Sequence, residues 1–391
     1  MPAFDARRFE IDVDEGVILD LQRRIAATRW PGRAPGVAWS QGTDLDYLRD
    51  FLRFWGQEFD WVAQQRSLNR WHHFDVVLDG ARVHYVHERA RDGAGIPLIL
   101  THGWPSCFTE YLALVPLLTD PGSHGIDGPA FDVVIPSLPG YGFSERPDIV
   151  GVNYAYVARV CHRLMAGLGY RRFGAHGGDF GSGVSALMAL QEPDRVWGLH
   201  LTNLDVGPVD PGDRPWTPDE QAFLAERERW DRTERGYSSI QSTKPQSLGY
   251  GLSDSPAGLA AWLVEKWRSW TDSHGDPGDR LSREFLATLL TIFWVTNSIT
   301  TSMRDYYDNR WHGVEMGADS YVRVPTAVAI FNHQFVHEAE PPREWVERLY
   351  NLQRWTEMPA GGHFAPVEEP RLVAEDLAAF FGGLVPDHGR P

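Results

Sequence analysis

The sequence predicts an α/β protein: a doubly wound, mostly parallel sheet with a helical insertion and a helical N-terminal extension. Three observations carry that expectation. Between residues 74 and 203, short apolar runs alternate with helical stretches at the pace of βαβ units, and a parallel sheet covered on both faces is the economical solution for such a pattern. One strand-to-helix turn in that stretch is bracketed by glycines, Gly177-Gly178-Asp179-Phe180-Gly181. From about residue 205 to 320 the alternation gives way to long helical segments, and sheet character returns at 322–331. These shifts divide the chain into a helical part at 1–75, a first core part at 76–204, a helical lid at 205–321 and a second core part at 322–391.

Taken in order, residues 17–27 place Ile18, Leu19, Leu21, Ile25 and Ala26 at near-helical spacing, and Trp30-Pro31-Gly32 stops the pattern. A second amphipathic helix is expected over 44–57, with Leu45, Leu48, Phe51, Leu52 and Trp55 on one side. His72-His73 has no histidine or carboxylate at ligand spacing, so it reads as a surface or packing pair. Residues 74–78 and 82–87, joined through Asp79-Gly80, predict a β-hairpin. The apolar runs 96–101 and 131–136 suit buried parallel strands, with a helix at 108–118 between them. A helix over 154–168 leads to the glycine-bracketed turn, and 197–203 is a further strand. Helices at 221–232, 256–270 and 282–307 make up the lid, the strand at 322–331 follows, and a helix over 370–381 closes the chain.

Composition excludes several classes of partner. The chain of 391 residues carries a formal net charge of -16, which argues against nucleic acid and against anionic membrane surfaces, since both demand a basic patch. Sixteen Trp, 13 Tyr and 19 Phe are enough to line a large apolar pocket as well as to fill a core. Cys107 and Cys161 alone imply neither a disulfide framework nor a cysteine zinc site, and no metal or other cofactor is expected. The start, Met1 to Arg8, lacks the apolar stretch of a signal peptide, and no run approaches the ~20 apolar residues of a membrane span. A soluble cytoplasmic protein is expected.

The glycine-bracketed turn has the form of a nucleophile elbow, in which flanking glycines let a central nucleophile stand above the sheet. Here the central residue is Asp179. A carboxylate is poorly suited to acyl transfer and well suited to displacement at a saturated carbon, so the chemistry implied is an alkyl ester formed from an epoxide or an alkyl halide. Those five residues also read as a turn with a helix-capping aspartate, and alone they do not separate the two readings.

Longer motifs do. Arg29-Trp30-Pro31, His102-Gly103-Trp104-Pro105, His176 through Gly181, Gly236-Tyr237 through Gln246, Asp254 through Ala261, and Gly361-Gly362-His363-Phe364-Ala365 ahead of Glu368-Glu369-Pro370 occur in order along the chain. In these the sequence resembles an α/β-hydrolase-fold epoxide hydrolase of the microsomal and juvenile-hormone type, with that family's N-terminal domain, over nearly its whole length. The membrane anchor that animal microsomal enzymes carry before this domain is not expected here, as in soluble bacterial relatives, those tailoring enediyne antibiotics included. An enediyne-pathway role rests on overall likeness and aromatic content.

The resemblance implies a role for each residue. Asp179 is the expected nucleophile, and Tyr237 and Tyr306, which match the family's lid tyrosines, are expected to protonate the epoxide oxygen; Tyr307 is the adjacent competitor. His363 is expected to activate water, which attacks the ester carbonyl, and the backbone N–H groups of Phe180 and Trp104 are expected to receive the negative charge. The acid that orients His363 is harder to place. Counting from Phe331 puts the uncharged Gln334 at the family position, whereas counting back from Pro341-Pro342-Arg343-Glu344-Trp345 puts Glu338 there, with Glu340 the runner-up. The expected substrate is a bulky, largely apolar epoxide together with water; a homodimer is compatible with the chain. Two rivals stand beside this reading: a haloalkane or haloacid dehalogenase with the same Asp-His core, and a catalytically silent binding protein of the same fold.

Overall fold

The computed structural model describes residues 4–93, 95–204, 214–314 and 320–384. Nine strands form one sheet: β1 (Arg7–Arg8), β2 (His73–Leu78), β3 (Ala81–Glu88), β4 (Ile96–Thr101), β5 (Phe131–Pro136), β6 (Phe173–Gly177), β7 (Val196–Leu201), β8 (Val322–Ile330) and β9 (Tyr350–Glu357). Their spatial order is β1-β2-β3-β5-β4-β6-β7-β8-β9. From β5 to β9 every neighbour is parallel, and β1, β2 and β3 extend one edge in antiparallel fashion. The β2–β3 hairpin turns on two residues, Asp79 and Gly80, both at positive φ (51° and 83°), as a tight two-residue hairpin turn requires.

The fifteen helices among the described residues are α1 (Glu15–Ala26), α2 (Leu45–Gln57), α3 (Trp61–Leu68), α4 (Val115–Thr119), α5 (Tyr154–Gly167), α6 (Phe180–Gln191), α7 (Pro218–Thr233), α8 (Gly236–Gln241), α9 (Pro245–Asp254), α10 (Pro256–Ser269), α11 (Arg283–Val295), α12 (Ile299–His312), α13 (Arg343–Val346), α14 (Ala365–Glu368) and α15 (Pro370–Leu384). Helices α7 to α12 occupy the stretch expected to form the lid; its ends, 205–213 and 315–319, and the chain beyond 384 lie outside the described residues. The N-terminal helices brace this layer. Trp55 on α2 donates its indole N–H to Thr291 on α11 at 2.9 Å, and Thr43 donates to the Ala261 carbonyl of α10 at 2.6 Å.

Several expected elements need correction. The helix expected over 108–118 is a 3-10 turn at Phe108–Tyr111 followed by α4, because Pro116 lacks an N–H and fits only a first helical turn. The helix expected over 282–307 is α11 and α12, bent by 83° where Asn297 takes a φ of 51°. Helices α3, α8, α9, α13 and α14 and strands β1 and β9 had no expectation of their own. No single helix among the described residues is long and apolar enough to cross a membrane. Of the histidine pair, His72 pairs with Glu88 at 2.8 Å, and His73 is buried with its Nδ1 2.9 Å from His84 Nε2.

Two features of the sheet position the site. The chain leaves β4 toward β5 and leaves β6 toward β7, so the strand order reverses between β4 and β6, and the loops at their carboxyl ends border the crevice where ligands bind in such sheets. Beneath β6, His176 Nδ1 meets His200 Nδ1 at 2.9 Å, His200 Nε2 meets Asp376 at 2.9 Å, and Asp376 also accepts from Arg354 and Thr356. Burial alone would raise the Asp376 carboxyl, but His200, Arg354 and Thr356 hold it well below the usual carboxylate range. A depressed carboxylate stabilises the fold above its unfolded pKa of about 4, and that stability is lost as pH falls through the folded value. Asp376→Ala is therefore expected to cost on the order of 3 kcal/mol at pH 7, read as a lower urea midpoint, with the deficit shrinking in acid. A variant midpoint equal to wild type at pH 7 would show the buried cluster to be dispensable.

Candidate active site

At the carboxyl end of β6 the chain turns sharply into α6, and Asp179 sits on the turn at φ 53°, ψ -128°. That conformation is strained for a residue with a side chain, and neighbouring glycines make it achievable by admitting close backbone approach. A Cβ at Gly181 would lie 1.8 Å from the Thr101 carbonyl oxygen of β4. Asp179 also stands at the N-cap of α6, as the helix-capping reading of the motif expects. Its Oδ1 accepts from the backbone N–H of Phe180 at 2.7 Å and from that of Trp104 at 2.9 Å. Gly103 makes room for this: a Cβ there would lie 2.2 Å from Asp179 Oδ1.

The other carboxylate oxygen, Oδ2, faces His363, whose Nε2 is 3.5 Å away; Nδ1 on the far side of the ring is 3.7 Å from Glu338 Oε2. Both are ion-pair separations rather than hydrogen bonds. Among the described residues, Asp179 and Glu338 are the carboxylates within 4 Å of His363. Glu340 lines the same cavity but stays off the imidazole; burial, with the charge of Glu338, pushes its carboxyl up to about 8. Gln334, the residue reached by the other count, is buried and carries no charge to offer. Burial alone would push His363 down, but the Asp179 and Glu338 carboxylates outweigh it and push the imidazole up to about 10.

The loop carrying His363 is held from three sides. Its backbone N–H donates to the Trp270 carbonyl at 2.7 Å, its carbonyl accepts from Asn203, and the Trp270 ring packs on the imidazole at 4.9 Å. Glu368, quoted above only as part of a motif, accepts from the N–H groups of Gly362, Phe364 and Asp272 and so fixes the loop's course.

Two lid tyrosines converge on Asp179 from above. Tyr237 on α8 stacks on Trp104, with ring centroids 5.4 Å apart and planes 10° apart. Tyr306 on α12 lies edge-on to Trp104, Phe180 and Tyr237, at 5.7, 4.6 and 5.8 Å. Burial first, and then the neighbouring Tyr237 and Asp179, push the Tyr306 phenol well above its ordinary value. Tyr307 turns out to solvent against Trp311 and does not line the cavity. Helix α12 is pinned by Arg146, which pairs with Asp305 at 2.7 Å and Asp308 at 2.6 Å on either side of Tyr306 in sequence. No sequence motif pointed to Arg146, Trp270 or Asn203, because each acts through contacts made only in the folded chain.

The cavity above Asp179 has a volume of about 510 Å³. Tyr154, Phe180, Phe223 and Trp230 give it aromatic walls, while Arg227, Asp231, Arg235 and Arg310 make it more polar than the sequence suggested.

Residues 6–111 match the family model described as "Epoxide hydrolase N terminus", and residues 96–370 match that described as "alpha/beta hydrolase fold". The chain is 35% identical over 406 residues to epoxide hydrolase 1 of Sus scrofa, covering 97% of this chain and 89% of the relative. Its fold is similar to the crystal structure of juvenile hormone epoxide hydrolase from the silkworm Bombyx mori, with a TM-score of 0.88 at 30% identity over 97% of this chain and 95% of the other. It is also similar to the epoxide hydrolase of Aspergillus niger, with a TM-score of 0.84 at 26% identity over 97% of each chain.

The charge balance around His363 is open to direct measurement. In Asp179→Asn, which removes one of the two carboxylates facing the imidazole, the NMR titration of His363 is expected to move down from about 10 by at least roughly one unit. A titration unchanged between wild type and variant would mean that Asp179 does not set the protonation of His363.

Proposed function

The chain belongs to the epoxide hydrolases of the α/β-hydrolase fold, and on that premise we propose that it opens a bulky epoxide to a vicinal diol through a covalent ester on Asp179. The observation that carries this reading is the division of labour on one carboxylate: Oδ1 is held by two backbone N–H groups, while Oδ2 faces His363. Oδ2 is then the attacking atom. It forms a bond to an oxirane carbon, the carbon–oxygen bond of the ring breaks, and a tyrosine phenol protonates the departing oxygen.

His363 acts in the second half. In the resting site its raised pKa makes it cationic at neutral pH. Esterification removes the charge of Asp179, which is one of the two groups that raise it, so the imidazolium gives up its proton, the phenolate left by ring opening is restored to the phenol, and the neutral ring can take a proton from water. Water attacks the Asp179 carbonyl carbon, and negative charge builds on Oδ1, where the Phe180 and Trp104 N–H groups already stand. Collapse breaks the bond between the carbonyl carbon and Oδ2, the departing alkoxide takes the proton that His363 received from water, and one diol oxygen thus comes from Asp179. Glu338 keeps the imidazole oriented throughout.

Convergence of two phenols beside Asp179 supports an epoxide over an alkyl halide, because a halide leaves without a proton. The cavity of about 510 Å³ supports a bulky substrate, and the tailoring of a natural product such as an enediyne precursor belongs to the same proposal. A cytoplasmic setting belongs to the same proposal, and the two buried free thiols, Cys107 and Cys161, are in keeping with it.

His363→Gln is expected to form the ester and fail to hydrolyse it. Mixed with styrene oxide and quenched in acid, the variant should gain the mass of one substrate on the peptide containing Asp179, and steady-state diol formation should fall by at least about 10³-fold. Glu338→Gln should show a smaller accumulation of the same adduct. An unmodified Asp179 peptide in a variant that still consumes epoxide would overturn the covalent scheme.

A further inference from the structure

One buried charge takes no part in the scheme above. Lys266 lies on α10 with its side chain 8% exposed, although lysine is almost never so deeply buried unless paired. It does pair with Glu265, the preceding residue. Glu265 is itself largely buried, its side chain 20% exposed, and the pair offsets part of the cost of desolvating the ammonium. The ammonium's further neighbours are two aromatic rings. Its Nζ stands 4.6 Å from the ring centroid of Tyr237 and 5.7 Å from that of Trp270. Both rings belong to the wall of the candidate site, since Tyr237 stacks on Trp104 and Trp270 packs on His363.

We propose that Lys266 is a positioning residue for ring opening, whose ammonium over the Tyr237 ring selects Tyr237, rather than Tyr306, as the phenol that gives up its proton. The proposal rests on the reading of Tyr237 as a proton donor to the epoxide oxygen. In that step the bond from Asp179 Oδ2 to carbon forms, the ring carbon–oxygen bond breaks, and its electron pair takes the Tyr237 proton, leaving a phenolate beneath a cation. Attraction between a cation and an aromatic face exists for the neutral ring and grows as the ring takes on negative charge. The interaction is thus stronger in the transition state than in the ground state, which is the condition for accelerating the step. Tyr306 has no such neighbour: among the described residues no lysine or arginine stands over its ring, and the rings around it are those of Trp104, Phe180 and Tyr237. It keeps its proton and hydrogen-bonds to Tyr237.

The test uses Lys266→Met, which keeps the length of the buried stem without the charge, and Lys266→Arg, which restores a cation. Single turnovers with styrene oxide, followed by protein fluorescence across the pH range, separate ester formation from ester hydrolysis. Lys266→Met is expected to slow ester formation roughly tenfold or more and to move its alkaline limb to higher pH. Ester hydrolysis should stay within about twofold of wild type, and Lys266→Arg should recover most of the loss. Equal loss of both steps, or a slowed first step whose alkaline limb has not moved, would make Lys266 a packing residue and overturn the proposal. Tyr237→Phe distinguishes the two levels of the account. If Tyr237→Phe slows ester formation while Lys266→Met does not, only the role of Lys266 is lost; if Tyr237→Phe forms the ester at the wild-type rate, the assignment of Tyr237 is wrong and the proposal goes with it.

Discussion

Asp179 Oδ1 accepts hydrogen bonds from two backbone N–H groups that belong to different segments, Phe180 at the start of α6 and Trp104 in the turn after β4. For both to reach one oxygen, β4 and β6 must lie side by side, the turn after β6 must take a positive φ, and nothing larger than hydrogen can stand at Gly103. Most of the local architecture serves that convergence. The parallel sheet sets the two strand ends level, and the tight packing of Gly181 against Thr101 brings α6 close enough for its first N–H to point at the carboxylate. Once Oδ1 is fixed, Oδ2 has one direction left, toward His363 and the cavity.

The lid completes what the sheet begins. Trp104 serves twice, its backbone N–H on Asp179 and its ring as the platform on which Tyr237 stacks, so the turn after β4 and helix α8 meet at one residue. Tyr306 is fixed through α12, which Arg146 holds by two buried carboxylates. The N-terminal helices reach the lid from behind, on α10 and α11, and α10 is the helix that carries Lys266 and leads into Trp270. Substitutions in that brace act on the site at a distance, through the helices they hold.

What was legible in the sequence follows from how local each signal is. Asp79-Gly80 specifies its own hairpin turn, apolar runs such as 96–101 announce buried strands, and the glycine-bracketed Asp179 announces its elbow, since in each case neighbours along the chain decide the conformation. Strand β9 escaped because Tyr350–Glu357 is largely polar and only half-buried, without the apolar run of the strands before it. The break at Asn297 escaped because both flanking segments are helical by pattern and a single residue at positive φ makes the bend. Glu338 could be reached only by choosing between two counts across a loop, and in the fold its Oε2 stands 3.7 Å from His363 Nδ1. Lys266 looked like any helix lysine, and its meaning lies in the rings it meets.

Oxygen tracing tests the covalent ester on Asp179 most directly. With enzyme in excess over epoxide in heavy-oxygen water, a single turnover should place the label in the Asp179 carboxylate and leave the diol unlabelled, because the oxygen that enters the diol in that turnover was already in the protein. Label found in the diol after that first turnover would mean that water attacks the epoxide itself and would contradict the account.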